Sequence, residues 1–258
     1  MIPGQSLRKG CDGGREAREA GGVGARTLVL WDVDHTLMET GGVGFELFRA
    51  AFEQASGQRL SQAADVTGRT EPAIFRETVE LQGIPYSPAL FDRYAALLAA
   101  GYVAGASEMA QRGRALPGAP ETIAALARTG KVVQSVLTGN LRSVAETKLR
   151  TFGLDDELDL DVGAYGTDDD VRANLVPVAR RRAAEKYQTD FPARATVLIG
   201  DTPSDVQAAL DSGARIIAVA SGKSTPDDLR RAGAAVVLPS LHDAHAVVRA
   251  VLNGDHQA

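Results

Sequence analysis

The chain has 258 residues, 44% hydrophobic and 24% charged, which is enough to bury a full core as one large domain or as a core with a smaller appendage. Its formal charge of -5 and the lack of a dense Lys/Arg block argue against nucleic acid as a main partner. Cys11 is the sole cysteine, which excludes an intrachain disulfide and a cysteine-ligated metal cluster, and no apolar run approaches the roughly 18 to 20 residues of a membrane span.

Residues 1–26 are rich in glycine and charge and offer no apolar stretch for a signal peptide. They read as a disordered leader, and the protein is expected in the cytoplasm. The first strand is expected at "TLVLWDV" (27–33), and no good strand is expected from about 44 to 115. The interval 44–115 carries helical patterns instead: "FELFRAAFEQAS", "EPAIFRETVELQG" and "PALFDRYAALLAAGYVAGASEMAQRG". Gly41, Gly42 and Gly44 mark one end of this insert and Pro117-Gly118 the other, as hinge-like junctions.

Beyond it, short runs rich in Val, Ile and Leu predict strands at 131–139, 159–165, 195–201, 215–221 and 234–240. Helix-like segments such as "APETIAALARTG", "RSVAETKLRTFG", "VPVARRRAAEKY" and "SDVQAALDSG" lie between them, several ending in Gly. The alternation predicts an α/β fold, a doubly wound parallel sheet with an inserted all-helical domain. The core takes 27–43 and 116–258, and the insert takes 44–115.

In such sheets ligands bind beyond the carboxyl ends of the strands, so the polar residues ending each run matter most. The first run ends in Asp32, Asp34 and Thr36, and the second in Ser135, Thr138, Gly139 and Asn140. The third gives way to Thr167, Asp168, Asp169, Asp170 and Arg172, and the fourth ends in Asp201, with Asp205 four residues on. Two carboxylates spaced two apart on an extended strand share a face and repel unless a cation intervenes. With Asp201 and Asp205 added, the set suits a hard divalent ion, and Mg²⁺ leaves room for a phosphate. A carboxylate is also a competent nucleophile toward phosphorus, and a second one can serve as general acid and base. Any one of these aspartates alone is an ordinary turn or cap residue; the ordered set carries the argument. His35 reads as a turn residue, Trp31 as core, and Asp168 to Asp170 as a solvated loop or helix cap.

That set resembles the haloacid dehalogenase (HAD) superfamily, over roughly residues 27–245. Asp32-Val33-Asp34-His35-Thr36 is similar to its first motif, "SVLTGN" with Thr138 to its second, and Gly200-Asp201-Thr202-Pro203-Ser204-Asp205 to its fourth. The insert falls where the family places its C1 cap, as in phosphoglycolate phosphatase-like proteins and β-phosphoglucomutase. The resemblance implies a Mg²⁺-dependent phosphatase that acts on a small phosphorylated metabolite through an aspartyl-phosphate. Asp32 would be the nucleophile and Asp34 the acid/base, its backbone carbonyl also on the metal. Thr138 would bind the phosphoryl oxygens, with Gly139 and Asn140 beside it at the substrate. Asp32, Asp34, Asp201 and Asp205 would form the metal site, Asp205 directly or through water.

The third motif departs from the family. No lysine occurs in "YGTDDDVRANLVPVARRRA"; Arg172 stands where the lysine would, and Lys148 on the preceding predicted helix is its rival. Within the family, Asp34 separates this chain from dehalogenases, and the lysine-free insert separates it from phosphonatases. A sugar phosphomutase like β-phosphoglucomutase is the close alternative, which Thr36 disfavours. A phosphoacceptor receiver and a non-catalytic phosphate-binding member are the remaining ones. Arg69, in "VTGRTEPAIF", resembles a cap-loop residue expected to read a polar or anionic group of the substrate. A monomer or homodimer is expected, with no nucleic-acid or membrane partner.

Overall fold

The computed structural model describes residues 26–253, so the expected leader, with Cys11, lies outside the described residues. Five strands form one fully parallel sheet in the order β4-β1-β5-β6-β7. They are β1 (Thr27–Trp31), β4 (Val132–Val136), β5 (Thr196–Gly200), β6 (Arg215–Val219) and β7 (Val236–Leu238). β1 is flanked by β4 on one side and β5 on the other, so the strand order reverses at β1. A parallel sheet has a crevice at such a switch point, beyond the carboxyl ends of its strands. The sequence places Asp32, Asp34, Thr138 and Asp201 there.

The strands lack polar alternation because both faces are covered. Val29 and Trp31 point into one core, with Ile123 and Leu126 of α5 (Ala119–Arg128), Val144 and Leu149 of α6 (Arg142–Thr151) and Val247 and Val251 of α10 (Ala244–Leu252). Leu28 and Leu30 point into the other, with Leu175 and Ala179 of α7 (Arg172–Tyr187), Val206 and Ala209 of α8 (Pro203–Ser212) and Leu229 of α9 (Pro226–Arg231). Trp31 is fully buried, as expected, and its indole N–H donates to Gln134 Oε1 at 3.1 Å. No helix among the described residues is long and apolar enough to cross a membrane.

The helical insert comprises α1 (Val43–Ser56), α2 (Glu71–Leu81), α3 (Pro88–Ala104) and α4 (Ala106–Arg112). The long third helical pattern breaks at Gly105, which caps both α3 and α4. Phe48, Phe52, Phe75, Phe91 and Tyr94 form the insert's own aromatic core. The insert is joined to the sheet by a two-stranded antiparallel stem, β2 (Met38–Glu39) with β3 (Arg114–Ala115), of which β3 falls inside the interval 44–115 expected to hold no strand. The two pairing residues per strand are too few to register as a period-2 pattern. Gly42 caps α1 at φ 90°, in the left-handed region that favours glycine.

One expected strand is absent. Residues 159–165 run beside β4 with a single bridge, Leu137 to Ala164, and form no regular ladder. Asp159 and Asp161 are drawn out to Lys186, and Asp161 also to Arg142. The segment's polar groups therefore bind side chains where a strand would need its backbone aligned.

Candidate active site

β1 ends at Trp31, and the Asp32 N–H still donates to the Ile199 carbonyl at 2.8 Å, which anchors the first carboxylate to β5. The chain then turns at His35, whose φ of 61° is the left-handed conformation of a turn, as expected. This brings Asp32 and Asp34 to one cavity of about 550 Å³ between sheet and insert, although neither lies on regular strand. Thr138, Gly139, Asn140, Arg69, Arg172 and Asp201 line the same cavity. Asp205 does not line it and sits just beneath.

The two aspartates meet different cations. Arg172, the first residue of α7, places Nη2 2.6 Å from Asp32 Oδ1 and 2.6 Å from Asp205 Oδ1. Its Nε donates to the same Asp205 oxygen at 3.0 Å. Asp205 Oδ2 accepts from the Thr202 backbone N–H at 3.0 Å and from its hydroxyl at 2.6 Å, closing a capping box on α8. Both Asp205 oxygens are thus occupied, so this residue holds Arg172 in place more than it offers a free ligand atom.

Lys148, on α6, places Nζ 2.8 and 2.7 Å from the two oxygens of Asp34 and 2.7 Å from Asn140 Oδ1. The Asn140 amide donates to Asp34 Oδ2 and to Thr138 Oγ1, each at 2.7 Å. Lys148 and Arg172 therefore do not compete for one position: Arg172 faces the first carboxylate and Lys148 the second. Lys148 was discernible in the sequence, because it falls with Val144, Ala145 and Leu149 on the buried face of α6.

The electrostatics follow from burial and pairing. Burial pushes the Asp32 carboxyl well above its usual range against the pull of Arg172, and the charges of Asp205 and Asp201 push the same way. Burial, with the charge of Asp205, lifts Asp201 to about 7. Asp32, Asp201 and Asp205 present oxygens within 4.8 Å of one another, and the Thr36 hydroxyl donates to Asp201 Oδ1 at 3.1 Å. Buried carboxylates this close favour a bound cation, and an all-oxygen donor set fits a hard divalent ion. Burial also acts to raise Asp34, but the charge of Lys148 and the hydrogen bonds from Asn140 and Lys148 outweigh it and hold the carboxyl below its ordinary value.

That last balance gives a testable pH dependence. Lys148→Met should destabilise the protein by about 1–3 kcal/mol at pH 7, since Asp34 loses its buried partner. In the variant burial, the largest influence on Asp34, is opposed chiefly by the single hydrogen bond from Asn140, so the folded pKa rises above the unfolded value and the variant gains stability as pH falls. The parent's Asp34 stays ionised across that range. The gap between the two, read from urea unfolding in EDTA, should therefore shrink between pH 7 and pH 5. A gap independent of pH would show that the pair is not the cause.

The insert closes over this site. The Glu71 N–H donates to the Gly139 carbonyl at 2.8 Å, the Thr70 hydroxyl to the Asp170 carbonyl at 3.1 Å, and Arg76 pairs with Asp170 at 2.6 Å. A Cβ on Gly139 would lie 1.9 Å from the Arg69 carbonyl oxygen, so glycine is needed there for close backbone approach. The Arg69 guanidinium is turned back onto its own segment, 2.6 Å from Glu77 and donating to the carbonyls of Asp65 and Ala73. Tyr102 lays its ring 5.2 Å from Lys148 Nζ, and the half-buried Glu71 accepts from the Tyr94 hydroxyl. Nothing in the sequence marked those three insert residues, because each falls within an ordinary helical pattern.

The fold agrees with comparisons to known proteins. No curated protein sequence matches the chain significantly. Among solved structures, the chain is similar to a hydrolase from Pseudomonas syringae, with a TM-score of 0.64 at 20% identity, covering 88% of this chain and 99% of that one. It is similar to a predicted phosphoglycolate phosphatase from Haemophilus somnus, with a TM-score of 0.64 at 15% identity over 88% and 99%. It also matches CbbY from Rhodobacter sphaeroides, with a TM-score of 0.63 at 20% identity over 84% and 96%. At these identities the likeness establishes the shared fold. The sequence itself matches the model of the haloacid dehalogenase-like hydrolases over residues 29–210, and the chain belongs to that family.

Proposed function

We propose that this enzyme hydrolyses a small phosphomonoester through a phosphorylated Asp32, with the helical insert serving as a cap. The observation that carries the reading is the pairing of each carboxylate: Asp32 with Arg172 at 2.6 Å, and Asp34 with Lys148 and Asn140, on one cavity with Thr138. An Asp32 oxygen attacks phosphorus while the P–O bond to the leaving alcohol breaks. Asp34, once protonated, gives its proton to the departing oxygen. Arg172 and the Thr138 hydroxyl hold the phosphoryl oxygens, and the rigid sheet fixes them in line. Asp34 then takes a proton from water, which attacks phosphorus and frees Asp32. Mg²⁺ held by Asp32 and Asp201, with the Asp34 carbonyl and with Asp205 behind them, would offset the charge of phosphate and carboxylates.

Phosphate release from p-nitrophenyl phosphate tests the reading. Purified enzyme should be inactive in EDTA and recover with Mg²⁺, and Ca²⁺ should replace it poorly because its larger, looser shell misplaces the nucleophile. Full activity in metal-free buffer would refute it. A sugar phosphomutase would instead pass phosphate between sugar hydroxyls with little release.

A further inference from the structure

Among the described residues five carboxylates line the cavity: Asp32, Asp34, Glu39, Glu71 and Asp201. Arg172 pairs with Asp32, Lys148 with Asp34 and Arg114 with Glu39, while Asp201 belongs to the candidate metal set. Glu71 has no ion-pair partner among the described residues and no part in the phosphoryl transfer set out above. The Tyr94 hydroxyl donates to its Oε1, and no described residue donates to its Oε2.

The Glu71 carboxylate is held from two sides. Glu71 opens α2, and its backbone N–H donates to the carbonyl of Gly139, which lies between Thr138 and Asn140 at the phosphate end. The backbones are in close contact here: a Cβ on Gly166 would lie 2.0 Å from the Gly139 carbonyl oxygen and 3.2 Å from the Glu71 nitrogen. Tyr94 is fully buried, stacked on Phe75 with ring centroids 4.4 Å apart and set edge-on to Phe48. A carboxylate fixed through its backbone and its Oε1 presents the other oxygen in a defined place.

Phe48, Ile74, Leu98 and Tyr102 line the same cavity. A half-buried acceptor in such surroundings is disfavoured until a donor reaches it. Burial pushes the Glu71 carboxyl above its ordinary value, against the hydrogen bond from Tyr94 and the charge of Lys148, as befits an acceptor that is desolvated and incompletely paired. The charge of Lys148 acts on Glu71 more strongly than that of Asp34, so a neutral donor suits the place better than a further cation.

We infer that Glu71 determines specificity for the leaving alcohol: a further hydroxyl of that alcohol donates to Glu71 Oε2. This rests on the phosphatase reading above and narrows it to esters of polyhydroxylated alcohols.

The test uses the full chain with Mg²⁺ and a matched pair, glycerol 1-phosphate and 2-methylbutyl phosphate, in which methyl groups replace both hydroxyls. The parent should favour glycerol 1-phosphate in kcat/KM. Glu71→Leu should cut that preference at least about tenfold, by loss on glycerol 1-phosphate with little change on the methylated ester. The two esters also differ as leaving groups, and that difference cancels when the preference is compared between variants. Glu71→Gln is nearly isosteric and covers the case of a Leu variant that does not fold. Tyr94 takes its only side-chain oxygen, so it should cut the preference at least about threefold. A preference unchanged in the folded variants, or an equal loss on both esters, overturns the inference, the second outcome marking Glu71 as a residue that holds the cap. A parent that hydrolyses p-nitrophenyl phosphate but does not favour glycerol 1-phosphate overturns it too, and leaves the phosphatase reading intact. No turnover of any of the three esters overturns the phosphatase reading and this inference with it.

Discussion

Asp32→Asn is expected to leave a folded protein with at least about 10⁴-fold less turnover, since removing a nucleophile forfeits the covalent route outright. The change is nearly isosteric, and an amide keeps contact with Arg172 through its oxygen. It also removes a buried carboxylate that the charges of Asp205 and Asp201 repel. Stability should therefore hold or improve while activity is lost, a combination that misfolding cannot produce. Unfolding midpoints measured alongside steady-state rates separate the two. Activity of Asp32→Asn within tenfold of the parent would remove Asp32 from the chemistry.

Arg172→Ala is expected to lower kcat/KM on the order of 100-fold or more, because a cation that contacts the transferring group in a dry site stabilises the transition state strongly. The buried guanidinium bridges Asp32 and Asp205, each at 2.6 Å, so its loss also leaves two carboxylates unpaired. Some destabilisation follows, about 3–5 kcal/mol where a buried partner is stranded. Arg172→Lys separates the effects: it restores charge without the planar fork and should recover part of the activity. Arg172→Ala at parental kcat/KM, or a Lys variant no better than Ala in a folded protein, would exclude charge neutralisation by this residue.

Much of the fold was legible because parallel strands buried on both faces are largely apolar, as β1, β5 and β6 are; β4 keeps Gln134 and Ser135, each satisfied by an internal hydrogen bond. The expected strand at 159–165, "DLDVGAY", forms no ladder, and its Asp159 and Asp161 bind Lys186 and Arg142 outside the sheet. Arg172 could be placed from its position after that segment, and it does reach Asp32. Lys148 was weighed for the same position, yet it meets Asp34; which carboxylate a helix residue reaches depends on how α6 packs, and sequence spacing does not encode that. The environment of Arg69 was hidden for a similar reason. Its partner Glu77 lies on the following helix α2, and "VTGRTEPAIF" alone shows a free arginine. Gly139 was assigned to the substrate, whereas its most demanding contact is with the cap backbone, which only the tertiary approach of Arg69 reveals.

A phosphate that passes through Asp32 leaves a phosphoaspartate there during turnover, and that species can be trapped. Enzyme mixed with Mg²⁺ and p-nitrophenyl phosphate is quenched in acid within milliseconds, reduced with borohydride and digested for mass spectrometry. Reduction converts a phosphorylated aspartate to homoserine, so the peptide containing "LVLWDVDHTL" should carry that change at position 32 and nowhere else. Homoserine at another aspartate, or none despite turnover during the quench interval, would exclude a phosphorylated Asp32.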